Sequence, residues 1–222
     1  NKALKNLTNL TYLNLSYNRF FDGGGEVLSE SLEKLSNLKT LKLSYSFLSR
    51  EQMLPVAKAF SNFDKLELLD LSGNDICSND NGKVLSESLI NKINLTHLNL
   101  SFTNLKADEC VLNLSRALLK LTNLNYLNLS INITSLRSNT ILAEVIGSLN
   151  KITHLDLGDK QMNTEGVIEY AKSIKKLPNL IYLDLTGNRS NEEGIIALSN
   201  SLVNNTKLTF LSLDYNNINS AI

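Results

Sequence analysis

Apolar residues recur at every second position through a short phrase, then at every third or fourth, and the phrase occurs eight times along the chain. Its first copy runs Leu10, Leu13, Leu15 and Asn18. Its first residues are Leu10, Leu38, Leu66, Leu95, Leu124, Ile152, Leu180 and Leu208, spaced by 28 or 29 residues. Within each phrase the period is two, so Leu13 and Leu15 point to one side and Tyr12, Asn14 and Ser16 to the other, which predicts a short strand with one buried face. Downstream the spacing lengthens. Val27, Leu28, Leu32 and Leu35 in the first unit, and Ile168, Ala171, Ile174 and Leu177 in the sixth, follow helical steps. Ser49-Arg50-Glu51-Gln52 has the form of a capping box at one helix start. Gly24, Gly166 and Gly194 stand at equivalent helix entries.

One strand and one helix per unit, always in the same order, place the strands side by side and parallel. Helices are wider than the roughly 4.8 Å between strands, so the stack must curve with the sheet inside. The phrase resembles the leucine-rich repeat, L-x-x-L-x-L-x-x-N-x-L, and the long period resembles its ribonuclease-inhibitor-like subfamily. The resemblance covers the whole chain. It implies an α/β leucine-rich-repeat solenoid, a horseshoe of about eight repeats with a parallel concave sheet and convex helices, forming one domain over residues 1–222. Asn18, Asn74, Asn132, Asn188 and Asn216 end their phrases and are expected to form a ladder bonding the backbone of buried turns. Ser46, Thr103 and Lys160 depart from it. Lys160 has no acceptor, so the ladder should be irregular there. Neither end shows a polar capping unit, so the chain is expected to be a fragment of a longer array.

Composition narrows the classes. Lys plus Arg is 22 and Asp plus Glu is 22, a net charge of +0. That balance argues against a nucleic-acid binder, which needs a basic stripe, and against a polybasic membrane-surface protein. No apolar stretch reaches the ~18 residues of a membrane span. The two cysteines, Cys77 and Cys110, fall in different repeats and read as small buried apolar residues in a reducing compartment. The sequons at Asn14, Asn99 and Asn128 lie on the face a partner would use, and point to the same intracellular, cytoplasmic setting.

The candidate site is the solvent face of the strands. The third phrase position reads Tyr12, Thr40, Leu68, His97, Tyr126, His154, Tyr182, Phe210, and the fifth reads Asn14, Lys42, Asp70, Asn99, Asn128, Asp156, Asp184, Ser212. The seventh is small in seven of the eight copies, from Ser16 to Thr186, and the eighth adds Tyr17, Tyr45, Phe102, Ile131 and Tyr215. Exposed rings bordered by amides and carboxylates supply the anchors and orientation that protein interfaces use. The expected partner-binding residues are Tyr12, Asn14, His97, Asn99, Tyr126, Asn128, His154, Asp156, Tyr182, Asp184 and Phe210. The same rings also suit packing on one another along the sheet.

Other chemistry finds little footing. His97 and His154 lie two strands apart, roughly 10 Å, too far to share one ion, so no metal or other cofactor is expected. No serine stands out as a nucleophile, Cys77-Ser-Asn-Asp80 sits in an ordinary loop, and Asp22-Gly-Gly-Gly25 lacks the spacing of a phosphate loop. The lysines on the helices alternate with acids and read as a solvated convex face. The expectation is a non-enzymatic protein-interaction module binding a protein partner. The resemblance places it with bacterial effectors, active in host cytoplasm, or intracellular sensors. Alternatives it leaves open are a GTPase-activating protein of the Ran type and the substrate-binding part of a ubiquitin ligase.

Overall fold

The structure, a computed structural model, describes residues 3–20, 23–48, 50–77 and 81–218. Eight strands form one parallel sheet in sequence order: β1 (Tyr12–Asn14), β2 (Thr40–Lys42), β3 (Leu68–Asp70), β4 (His97–Asn99), β5 (Tyr126–Asn128), β6 (His154–Asp156), β7 (Tyr182–Asp184) and β8 (Phe210–Ser212). Helices α1 (Gly24–Leu32), α2 (Arg50–Ala59), α3 (Asn81–Leu89), α4 (Asp108–Leu118), α5 (Leu136–Ile146), α6 (Asn163–Ile174) and α7 (Glu192–Leu202) return the chain from each strand to the next. The helices pack edge to edge in the same order as the strands. Neighbouring helix axes need roughly 8–10 Å and neighbouring strands about 4.8 Å. The mismatch puts the sheet on the inner side of the curve.

The core lies between these two layers. The inward leucines Leu41, Leu69, Leu98, Leu127, Leu155 and Leu183 are fully buried and meet the apolar stripe of the helices, including Leu32, Leu114, Leu142 and Ile174. Burial falls off at the last strand, where Leu211 is 42% exposed.

The asparagine ladder forms as expected. Asn132, Asn188 and Asn216 each donate from Nδ2 to a leucine carbonyl of the preceding repeat and to two carbonyls of their own. Their Oδ1 atoms accept backbone N–H groups of the repeat before. Thr103 and Ser46 each use one hydroxyl to reach a leucine carbonyl. Lys160 is fully buried, and its Nζ extends back to the carbonyl of Asn132 at 3.2 Å. The expected irregularity takes that form: a long donor replaces the amide's shorter ones.

One expectation changes. Cys77 and Cys110 are not separate thiols; they are joined in a disulfide between the turn after β3 and the first turn of α4, with Cα atoms 5.5 Å apart. Residues 33 apart in sequence fall side by side because successive repeats stack nearly in phase. The capping box involves Ser49, the glycine turn Asp22, and the Cys77 loop residues 78–80, all outside the described residues. At other helix starts capping is explicit. Ser135 accepts from the Ser138 N–H, and Asn191 from the N–H groups of Glu193 and Gly194, each satisfying donors a helix leaves unpaired.

Candidate functional site: the concave face

Every strand pairs with its neighbour in the same register, so the third phrase positions form one row across the sheet and the fifth positions another. In the third row the rings of His97, Tyr126, His154, Tyr182 and Phe210 stack in a continuous series. Successive centroids lie 5.7, 6.1, 5.8 and 4.2 Å apart, with interplanar angles from 4° to 30°. The rings therefore cover one another's faces and offer their edges to solvent. Tyr12 lies apart on β1, 53% exposed, separated from the series by Thr40 and Leu68. The expected residues thus divide. His97 to Phe210 and their fifth-row neighbours come together, and Tyr12 and Asn14 stand at the far end of the sheet.

The fifth row is a chain of side-chain acceptors held by backbone. Asn128 Nδ2 donates to Asp156 Oδ2 at 2.9 Å, the Gly158 N–H donates to Asp156 Oδ1 at 3.0 Å, and the Thr186 N–H donates to Asp184 Oδ1 at 2.8 Å. In two other repeats the hydroxyl at the seventh position also reaches the fifth-position side chain: Ser72 to Asp70 and Ser130 to Asn128, both at 2.7 Å. In the sixth repeat that position is Gly158, without a hydroxyl. A Cβ added there would meet Asp156 Oδ1 at 3.4 Å and Asp184 Oδ1 at 3.5 Å, so the two carboxylates converge over a bare backbone. The sequence signal was present, a glycine where other copies carry Ser or Thr, but its place between two acids needed the register.

Electrostatics follow from this packing. Burial pushes the Asp156 carboxyl above its usual range, partly opposed by the Gly158 N–H and reinforced by the Asp184 charge. Burial raises the Tyr182 phenol, and the Asp184 and Asp156 charges raise it further. Burial lowers the His97 imidazole, helped by His154. Both imidazoles are held through Nδ1, against Thr96 and Thr153 Oγ1 at 2.8 Å. Among the described residues no cluster of three His, Cys, Asp or Glu side chains is placed to hold a metal ion.

A second apolar surface follows the turns at the ends of the strands. Tyr17, Tyr45, Phe102, Ile131 and Tyr215 occupy the left-handed backbone region, with φ between 49° and 59°. That region is costly for aromatic and β-branched residues. The ring of Tyr45 lies over Gly73, where any Cβ would collide with it. Phe102, Ile131 and Ile133 line a groove of about 470 Å³ here. Phe47 and Ile133, 58% and 46% exposed, extend this surface and were not singled out from the sequence.

Comparison with known proteins agrees with this architecture. The family profile described as "Leucine Rich repeat" matches residues 6–29 and 204–221. Over 175 residues, 78% of its length, the chain is 34% identical to the human NACHT, LRR and PYD domains-containing protein 13. It spans 14% of that protein's length. Among solved structures it is similar to internalin C2 of Listeria monocytogenes, with a TM-score of 0.52 and 22% identity, covering 95% of this chain and 82% of that one. The chain is a leucine-rich repeat protein. Proteins built this way generally mediate protein–protein contacts, and no helix among the described residues is long and apolar enough to cross a membrane.

Proposed function

We propose that this chain is a non-enzymatic protein-interaction module of the ribonuclease-inhibitor-like subfamily that binds a protein partner across the C-terminal part of its concave face. The observation that carries the reading is the stacked series from His97 to Phe210. It forms a pre-ordered aromatic ridge beside a polar row. Rings already fixed by their neighbours lose little freedom on binding, and centrally placed aromatic residues dominate interface energies. The repeats of 28 or 29 residues support the subfamily. The likeness to a human protein that carries NACHT and PYD domains supports the setting of an intracellular sensor ahead of an injected effector. The cytoplasmic reading keeps the support of the sequons on the binding face and loses that of the cysteines, which are bonded. No observation favours a GTPase-activating or ubiquitin-ligase role.

The test compares two faces. Tyr126→Ala/Tyr182→Ala should remain folded, because both side chains stand on the solvent side of the sheet. It should lose the proteins that the parent captures from cytosol, as identified by mass spectrometry. Lys172→Ala/Lys175→Ala on α6, where Lys172 pairs with Glu169 of its own helix, should retain them. The reverse pattern would move the binding surface to the convex side.

A further inference from the structure

The net charge of zero, which argued against a membrane-surface protein, averages two rims of opposite sign. From α4 onwards the segments that lead from helix to strand are 119–125, 147–153, 175–181 and 203–209. They carry Lys120, Lys151, Lys175, Lys176 and Lys207, all exposed, and no Asp or Glu. Among the described residues none of these lysines belongs to an ion pair. The opposite rim holds the helix starts, with Asp108, Glu109, Glu165, Glu192 and Glu193 in the first turns of α4, α6 and α7. Helix dipoles favour such a separation within the first and last turns. They do not account for Lys151 and Lys207, which lie more than a turn beyond Ile146 and Leu202, the last residues of their helices. The segments stand side by side. Asn123 Nδ2 donates to the Ile93 carbonyl and Asn179 Nδ2 to the Asn150 carbonyl. Lys151 Nζ donates to Asn123 Oδ1 and Lys207 Nζ to Asn179 Oδ1, each at 2.6 Å. These ammonium groups are thereby held in place with donors to spare.

From this charge complementarity we infer that the rim where helices end and strands begin is a docking surface for an anionic lipid bilayer. It is separate from the concave face and leaves that face open to a protein partner. The lysines are spread over four successive repeats, as attraction to a plane of headgroups requires. Large apolar side chains stand exposed among them: Leu119, 48% exposed, beside Lys120, and Val203, 73% exposed. Leu119 and Lys176 also line a hollow of about 610 Å³ together with Leu112, Ile141 and Val145, and with Arg116 and Glu144. Apolar groups bounded by lysines match the headgroup boundary of a bilayer, where the one enters the acyl layer and the other meets phosphate. A nucleic acid would engage the lysines and leave the apolar groups in water, and the four segments hold no Phe, Tyr or Trp on which bases could stack. Leu119 and Val203 follow α4 and α7, three helices apart, which is roughly 24–30 Å at helix spacing. A flat bilayer spans that separation, and a short acidic segment of a protein does not.

Flotation of the 222-residue chain with phosphatidylcholine vesicles, with and without phosphatidylserine, tests the assignment. The serine-lipid vesicles should bind at least about tenfold more tightly, and the difference should shrink as NaCl rises from about 0.05 M to about 0.5 M and screens the lysines. Lys151→Glu/Lys176→Glu/Lys207→Glu should weaken this binding at least about tenfold. Lys106→Glu/Arg137→Glu/Arg189→Glu makes the same change in net charge on the opposite rim, a helix length away, and should alter it by less than about twofold. Leu119→Ser/Val203→Ser should weaken it several-fold at both salt concentrations, because apolar burial is not screened. All the substituted side chains are exposed, so each variant should keep the parent's circular dichroism. No preference for the serine lipid, equal loss from the two charge-reversal variants, or full binding after the serine substitutions each overturns the assignment. A chain that prefers duplex DNA or polyglutamate to these vesicles at equal charge concentration overturns it as well, and gives the rim to a soluble polyanion.

Discussion

Asn132 and Lys160 hold the same place in successive repeats and illustrate opposite economies. Asn132, 1% exposed, donates to the carbonyls of Leu100, Leu129 and Ser130 and accepts the N–H groups of Thr103 and Leu105. Asn132→Ala leaves those buried groups without partners and should cost about 2–3 kcal/mol in chemical denaturation. Lys160 brings a long amine into the same dry space. Burial lowers its pKa from 10.5 to about 7. Between those two values the unfolded chain holds a proton that the folded chain does not, so stability rises with pH across that window and is lost as pH falls towards 7. Urea unfolding at pH 9 should exceed that at pH 7 by about 2 kcal/mol from this residue. Lys160→Met should remove that part of the slope, and Lys160→Asn should be at least as stable as the parent at pH 7. A parent whose pH slope matches that of Lys160→Met would show that the amine titrates normally in the folded state.

At the level of elements, strands and helices were legible because each has one face in the core, and a period of two or of three to four writes that face into the chain. The eight strands fall where the phrases predict, and the rows they form follow from a near-constant spacing. What stayed hidden depends on contacts between repeats. The pairing of Cys77 with Cys110 requires knowing how the turn after β3 meets α4. The approach of two carboxylates to Gly158 requires knowing that Asp184 lies beside Asp156 on the next strand. The disulfide closes a loop across 33 residues of sequence. Its loss should cost about 4 kcal/mol through the freedom regained by the unfolded chain. Cys110→Ser and reduction of the parent should therefore lower the urea midpoint by similar amounts. A reduced parent as stable as the oxidised one would show that the bond adds nothing to the stacked repeats.

The whole molecule is a sheet that never closes, so its two ends differ from its middle. Leu183 on β7 is fully buried, Leu211 at the matching place on β8 is 42% exposed, and Leu7 near the other end is 51% exposed. The outer strand also presents unpaired backbone. Produced as these 222 residues, the chain should self-associate with rising concentration in sedimentation, and a polar repeat grafted onto β8 should relieve it; a monomer at every concentration would argue otherwise. The repeat spacing carries a separate consequence. Leu68 to His97 and His97 to Tyr126 are 29 residues apart, Tyr126 to His154 is 28, and all pair in the same register. The extra residue is absorbed in the turns and helices and never reaches the sheet. Distance along the inner face is therefore counted in strands, not in residues. Excising residues 126–153 as one piece would set His97 directly against His154 and leave every later row in order. In such an array recognition is spelled one rung at a time, and whole rungs can be struck out or copied without rewriting the others.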